Sequence, residues 1–404
     1  MIGDHNIICV ASNWFEHPTS KHHVMRRLAE RNRVIWVNFH ASRRPTLSRS
    51  DSRMIVNRLA QAFAGPRPGA PNLDVLSPLV LPWPESPIAR WLNARIIVRQ
   101  VRAALRRLPD RPTQLWLFTP DIPEIVPLLA PDHTVYYCVD EFAGFAGCNA
   151  DLIERLEQCT LEQADTVIAS SRNLFDKCSR RHANTHLVPH GVDYEHFASA
   201  VQPSQSPPPP DLRDIAGPIL GYMGLVTDYV DLDLIAAAAK ARPQWSFVLL
   251  GSIRCNVDCV RGLANVHLLG GKPYAELPSY LRRFDIGLIP FQMSRLTRAV
   301  NPIKLREYLA AGLPVVSAPM AEVLRYAPSV RTATTTPEFL HEAQAAIELA
   351  QDEPAATRQS LVRHEGWNAC VEQLSTIVTG GQARKRNAYN RGAKIASSTK
   401  ITTA

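Results

Sequence analysis

No run of about 18 or more apolar residues occurs anywhere in the sequence, so no stretch of it is suited to crossing a bilayer as a helix. The start, Met1-Ile2-Gly3-Asp4-His5, lacks the basic-then-apolar order of an export signal, and the expected location is cytoplasmic. Cysteines are few and scattered. Only Cys255 and Cys259 stand close together, and no second pair or histidine cluster completes a zinc site, so reduced, structural thiols are expected. A Gly-x-Gly-x-x-Gly turn is missing after the first hydrophobic strand, which argues against a dinucleotide-dependent dehydrogenase. Acidic pairs are just as sparse. Asp231-Leu232-Asp233 opens a helix with its acids off one face, so no metal and no cofactor are expected.

Positive charge is present but concentrated. Of the net +8, the last 24 residues contribute +6 through Arg384, Lys385, Arg386, Arg391, Lys394 and Lys400, leaving +2 for the rest. Residues 381–404 read as a disordered basic tail. With so little charge elsewhere and no RNA-binding motif, nucleic acid is not an expected partner.

What is present is an alternation of strand and helix, repeated twice. Hydrophobic strand runs at 7–12, 34–37, 114–118, 134–138, 166–170 and 185–188 make residues 1–200 a Rossmann-like N-terminal domain. Residues 41–70, rich in Arg, Ser, Pro and Gly, read as an irregular excursion. The proline run ending at Pro210 cannot sit in a helix or a central strand, and it marks 201–217 as a linker. Strands at 219–224, 246–250, 265–269, 285–289 and 314–317 then build a second Rossmann-like domain over 218–354. Two such halves predict an α/β architecture with a ligand cleft between them.

The helix expected at 87–108 is unusual. Trp91, Ala94, Val98, Val101, Leu105 and Leu108 recur at spacings of three and four, beside Arg95, Arg99, Arg102 and Arg106, without one acidic residue. An ordinary domain helix packs such a stripe on its sheet and solvates the arginines. A basic amphipathic helix can also dock on an anionic membrane with Trp91 at the interface, and the two uses are compatible.

The stretch that organises the second half runs from Asn301 to Ser317. Asn301 suits a helix cap, Pro302 suits the first turn, and Gly312 stops the helix before Val315 and Val316 enter a strand. Such an N-terminus offers free N–H groups and a positive dipole end to phosphate, and Lys304 adds a point charge. Glu307, one turn on, can accept from two neighbouring hydroxyls such as a ribose diol. The alternative is a plain surface pair between Lys304 and Glu307.

The pattern Pro302, Lys304, Glu307-Tyr308-Leu309-Ala310 and Gly312-Leu313-Pro314-Val315-Val316 resembles the donor-binding helix of GT-B glycosyltransferases, particularly the family 4 type. The resemblance implies two Rossmann-like domains facing across a cleft. It also implies a nucleotide-sugar donor, diphosphate contact by Lys304 and ribose contact by Glu307. A helix over 355–380 would return to the first domain. Gly221-Tyr222-Met223-Gly224 resembles the glycine-bearing first donor-domain strand, placing Tyr222 and Gly224 at the donor. His190-Gly191-Val192-Asp193 resembles the interdomain turn of the family.

Two departures matter. Leu225-Val226-Thr227-Asp228 stands where an arginine usually meets the diphosphate, and Ala299 stands where a second glutamate usually faces the donor sugar. The retaining mechanism of that family therefore does not carry over, although Arg295, Arg298 and Asn301 can meet an acidic sugar or a phosphate. An inverting transfer needs a base for the acceptor hydroxyl. Asp140 and Glu141 follow the strand Tyr136-Tyr137-Cys138, resembling exopolysaccharide and teichuronic-acid glycosyltransferases, and Asp140 is the expected base. His22, behind the Thr19-Ser20 cap, is a further candidate. The expectation is a cytoplasmic, membrane-peripheral glycosyltransferase that extends a saccharide or lipid-linked saccharide for a surface polysaccharide. A sugar-nucleotide epimerase on the same fold and a non-catalytic nucleic-acid-binding protein are the alternatives.

Overall fold

The computed structural model describes residues 1–39, 65–202 and 207–401. It divides into two compact units, Met1–Pro189 with Cys370–Ala404, and His190–Ala369.

The first unit is built on β1 (Asn6–Ala11), β2 (Arg33–Asn38), β3 (Arg67–Ala70), β4 (Leu73–Leu76), β5 (Thr113–Leu117), β6 (His133–Cys138), β7 (Thr166–Ala169) and β8 (Thr185–Leu187). Their order in the sheet is β3-β4-β2-β1-β5-β6-β7-β8, parallel throughout except for the β3–β4 pair. β1 and β6 are buried along their whole length, the signature of strands covered on both faces. The second unit has β9 (Ile219–Met223), β10 (Ser246–Leu250), β11 (Val266–Gly270), β12 (Ile286–Ile289), β13 (Val315–Ser317) and β14 (Val330–Thr332). Here the order is β11-β10-β9-β12-β13-β14, all parallel. Strand order reverses at β1 and at β9, and the crevices beyond the carboxyl ends of such strands are where ligands bind in open α/β sheets.

Three strands were not expected from the pattern. β3 lies in the stretch read as irregular, of which 41–64 falls outside the described residues. Its edge position tolerates Pro68, and Asn72 turns the chain with φ +59° into β4, whose Leu73, Val75 and Leu76 are buried. β14 has only three residues, too few to show a period.

The unit boundary falls at Pro189–His190, ahead of the proline run expected to mark it. Residues 190–202 belong to the second unit because their contacts hold them there. Phe197 is fully buried, His196 Nε2 meets the Tyr274 carbonyl at 3.0 Å, and Arg282 donates to the Ala200 and Ser199 carbonyls. The closing helix begins at Trp367, behind the short helix Ala355–Ser360, and continues into the first unit. Its backbone stays helical to Ile401, where a disordered tail was expected. Gln, Ala, Arg and Lys favour helix, and the early tail is tied to the first sheet. Arg384 donates to Asn184 Oδ1 at 2.7 Å, and Lys385 Nζ lies 2.8 Å from Asp165 Oδ2.

The arginine helix spans Pro87–Leu105, with Ser86 accepting from the Ala89 N–H. Its buried stripe is Ala89, Asn93, Ala94, Ile97, Val98 and Val101. Trp91 lies off that stripe and is exposed, with the Arg95 guanidinium 4.4 Å over its ring. Among the described residues no helix is long and apolar enough to cross a membrane.

Gly381 is where the last helix touches the first sheet: a Cβ there would lie 2.6 Å from Thr166 Oγ1 and 3.2 Å from His133 Cε1. Gly381→Leu is expected to destabilise the chain by about 1–3 kcal/mol through overpacking, read as a lower urea midpoint.

Candidate functional site

In the second unit the donor candidates assemble where β9 ends. Gly224 has φ +147°, and a Cβ on it would lie 2.9 Å from Lys304 Cε and 3.0 Å from Lys304 Nζ. Only glycine lets this turn sit on the lysine. Gly251, the residue after β10, is a second such point that the sequence reading missed. A Cβ there would lie 1.8 Å from the Gly224 carbonyl oxygen, so the two strand-end loops touch backbone to backbone.

The Lys304 ammonium is held on aromatic faces, 4.9 Å from the Tyr222 centroid and 4.7 Å from that of Phe291. Its one hydrogen bond is long, 3.5 Å to Tyr222 Oη, and among the described residues no carboxylate forms an ion pair with it. Burial lowers its pKa to about 8, against an opposing pull from Glu307. Glu307 lies on the same face, with no hydrogen-bond partner among the described residues. Burial raises its carboxyl to about 7, offset by Lys304 and reinforced by Asp193. Both groups thus titrate close to neutrality and lack saturating partners, a state that favours an incoming ligand with one anionic end and one hydroxylic end. Phe291 was not singled out from sequence, because an aromatic residue after a strand carries no pattern of its own.

The remaining donor candidates are supports. Tyr222 is fully buried and donates to the Leu225 carbonyl at 2.8 Å, so its ring is a platform for Lys304. Pro302, expected in the first turn, stands at the cap position of helix Ile303–Ala310, and no side chain caps that helix. Asn301, expected as the cap, is buried and accepts from Arg306 Nη1 at 2.7 Å. The guanidinium of Arg306, close behind it, outcompetes the backbone for that amide oxygen. His190 is buried with its ring 6.2 Å from Trp367. Arg295 and Arg298 are exposed on a short helix, Arg295–Ala299, opened by a Ser294–Thr297 capping box.

In the first unit the base candidates separate. Asp140 is half-buried beyond the end of β6, and its carboxylate has no hydrogen-bond partner among the described residues. Burial raises its pKa to about 6, and Lys21 pulls it back down. A base poised there is ionised at neutral pH and still basic enough to accept a proton. Glu141 is buried and engaged, with Oε2 3.0 Å from Lys177 Nζ, which also pairs with Glu157 at 2.8 Å. His22 is a core residue. Its ring packs 5.2 Å from Trp14 and 4.9 Å from Trp36, and its Nδ1 accepts from the Thr19 N–H at 3.0 Å. Burial, with Lys21 and Arg26 nearby, lowers its pKa to about 4. The histidine behind the Thr19-Ser20 cap is held inward by two tryptophans, so the catalytic expectation for His22 does not fit its placement.

Residues 217–352 match the family model described as Glycosyl transferases group 1. A Bacillus subtilis (strain 168) protein named as a teichuronic acid biosynthesis glycosyltransferase, TuaH, is 27% identical over 281 residues, 64% of this chain and 70% of that one. Among solved structures, Anabaena HepE in complex with UDP and glucose matches with a TM-score of 0.64 at 13% identity, covering 92% of this chain and 99% of that one. Sucrose-phosphate synthase from Thermosynechococcus elongatus matches with a TM-score of 0.67 at 14% identity, covering 95% and 100%. Neither alternative raised from the sequence, epimerase or nucleic-acid-binding protein, gains support from these likenesses. The chain is a glycosyltransferase of GT-B fold, and the match to the group 1 model lies within its second unit.

Proposed function

We propose that this enzyme moves a sugar from a nucleoside diphosphate donor seated on the second unit to a saccharide or lipid-linked saccharide in surface-polysaccharide synthesis. The observation that carries the donor assignment is the Lys304 ammonium, held on Tyr222 and Phe291 under the Gly224 turn with no ion-pair partner among the described residues. The uncapped N-terminus of helix Ile303–Ala310 adds its N–H groups to that anion seat. Glu307 then takes the ribose hydroxyls. The UDP and glucose bound to HepE and the teichuronic-acid role named for the Bacillus protein support the donor and acceptor classes.

In the proposed reaction Asp140 takes the proton of the acceptor hydroxyl as that oxygen bonds to the anomeric carbon. The bond from that carbon to the diphosphate oxygen breaks, and its electron pair leaves with the nucleoside diphosphate. Lys304 and the helix N-terminus stabilise the developing negative charge, so the protein's own cations take the place of a metal. Ala299, in place of a second carboxylate at the sugar, fits an inverting outcome.

The reading extends to a membrane surface. Trp83, Ile88 and Trp91 are 52%, 71% and 45% exposed, and Leu79 and Leu92 are exposed beside them. Arg95, Arg99 and Arg106 are exposed on the same helix, which has no acid in its sequence. Apolar side chains at one end and arginines along the length suit the inner, anionic face of a cell membrane, where a lipid-linked acceptor would lie.

Calorimetry with UDP and GDP tests the donor site. One nucleotide is expected to bind, with Lys304→Ala and Glu307→Ala each weakening it more than about tenfold, or about 1.4 kcal/mol. No binding by folded protein removes the reading. Affinity should be highest between about pH 7 and 8. Above that window Lys304 loses its proton in the free enzyme, and below it Glu307 gains one and loses acceptor capacity.

Asp140→Asn is expected to lower transfer by on the order of 10²–10⁴ with nucleotide affinity unchanged. It should also abolish an acidic limb near pH 6 in the rate profile. In His22→Gln that limb should persist while thermal stability falls. Vesicle co-sedimentation tests the surface: phosphatidylglycerol vesicles should retain the chain better than phosphatidylcholine vesicles, less so at high salt. Trp83→Ala with Trp91→Ala should lose that retention, and equal retention by both lipids would exclude an anionic docking surface.

A further inference from the structure

Cys138 ends β6 two residues before Asp140, and Cys178 lies in the last turn of helix Arg172–Ser179. Both thiols are fully buried. Their sulfurs lie within 4.8 Å of each other and of a Glu157 carboxylate oxygen. Glu157 Oε1 is 3.6 Å from Cys138 Sγ, and the Asp140 carbonyl oxygen is 3.7 Å from the same sulfur. The Tyr136 phenol donates to Glu157 Oε1 at 2.8 Å and fixes that carboxylate from behind.

A buried cysteine usually packs as a small hydrophobe. These two instead face each other and a carboxylate. Two sulfurs and one oxygen at this spacing make up most of a tetrahedral donor set, which a d10 cation gathers at about 2.0–2.3 Å. The charge arrangement agrees. Glu157 and Glu141 share the single ammonium of Lys177, at 2.8 and 3.0 Å. Exchange of two thiol protons for one divalent cation leaves the net charge of the cluster unchanged and lets Lys177 serve Glu141. The lysine end is the outer side of the cluster, its side chain 27% exposed, and offers a way in.

We propose that Cys138, Glu157 and Cys178 form a binding site for a thiophilic divalent cation of the zinc class. Binding releases one proton from each thiol and forms two metal–sulfur bonds and one metal–oxygen bond, with no change of oxidation state. Water or the Asp140 carbonyl oxygen takes the fourth position. Because Cys138 and Asp140 share one turn of chain, occupancy would clamp the segment that carries the candidate base. The site itself stands independently of the sugar-transfer assignment.

The test is a titration of the reduced, metal-stripped full-length chain with Co²⁺ as a spectroscopic probe, followed by Zn²⁺. A thiolate-to-cobalt charge-transfer band should saturate at a single equivalent and vanish on adding Zn²⁺. Cys138→Ser and Cys178→Ser should each weaken Co²⁺ binding by more than the roughly 10–100-fold typical of losing an outer-shell partner. A Cys255→Ser/Cys259→Ser variant should leave the band intact. Circular dichroism checks that each variant is folded. If a cysteine variant is not, the wild-type chain decides: Zn²⁺ should slow alkylation of Cys138 and Cys178, located by peptide mapping, by at least tenfold. Absence of a saturable band, a band that survives Cys178→Ser in folded protein, or unchanged alkylation overturns the proposal.

Discussion

The second unit depends on a lysine ammonium that is buried on aromatic faces instead of in an ion pair. The rings of Tyr222 and Phe291 hold Lys304 in place without neutralising it, so its charge remains available to an anion. Much of the surrounding structure follows from that need. The residue after β9 is glycine because Gly224 turns with φ +147°, which brings its Cα close to the lysine. β10 must be followed by Gly251 because the Gly224 carbonyl lies where its Cβ would be. Two residues along the same helix, Arg306 shows the opposite arrangement. It is fully buried and paired, with Nε 2.6 Å from Glu365 Oε2 and Nη1 on Asn301. Glu365 also accepts from Arg325 and Tyr326, and the adjacent Gly366 pairs with Val192. One cation is tied into ion pairs that anchor the helix, and the other keeps its charge on aromatic faces.

The first unit makes the same distinction with carboxylates. Asp140 and Glu141 are neighbours in sequence but differ in environment. Glu141 turns inward to Lys177, while Asp140 has only the field of Lys21 against its desolvation. Burial without a saturating partner moves a carboxyl toward neutrality, and pairing with a lysine fixes it as structure. The same test separates His22, locked between two tryptophans, from a residue free to act.

Much of the fold was legible in the chain because parallel strands covered on both faces read as continuous hydrophobic runs. All eleven runs identified as strands are strands, and each half repeats the alternation that defines a doubly wound sheet. The short edge elements were not legible. β3 and β4 depend on a turn at Asn72, and β14 is too brief to show a period. The closing helix was expected, but its part beyond residue 380 was read as a tail because its anchors, Asn184 and Asp165, lie some 200 residues away in sequence. In the candidate donor site, Lys304, Glu307 and Gly224 were legible from local spacing. Phe291 and Gly251 were not, since their roles arise from contact across strand ends.

Local sequence determined the elements: strands from unbroken apolar runs, a helix start from Pro302, and a compulsory glycine at position 224. It also placed Lys304 and Glu307 one turn apart, which follows from helical geometry alone. Tertiary structure decided which charges are available. Whether a lysine, a carboxylate or a histidine is paired, desolvated or walled in depends on groups distant in sequence, such as Tyr222 under Lys304, Lys177 beside Glu141, and Trp36 against His22. Spacing along the chain carries no record of those partners, because burial and Coulomb energy depend on distance in space.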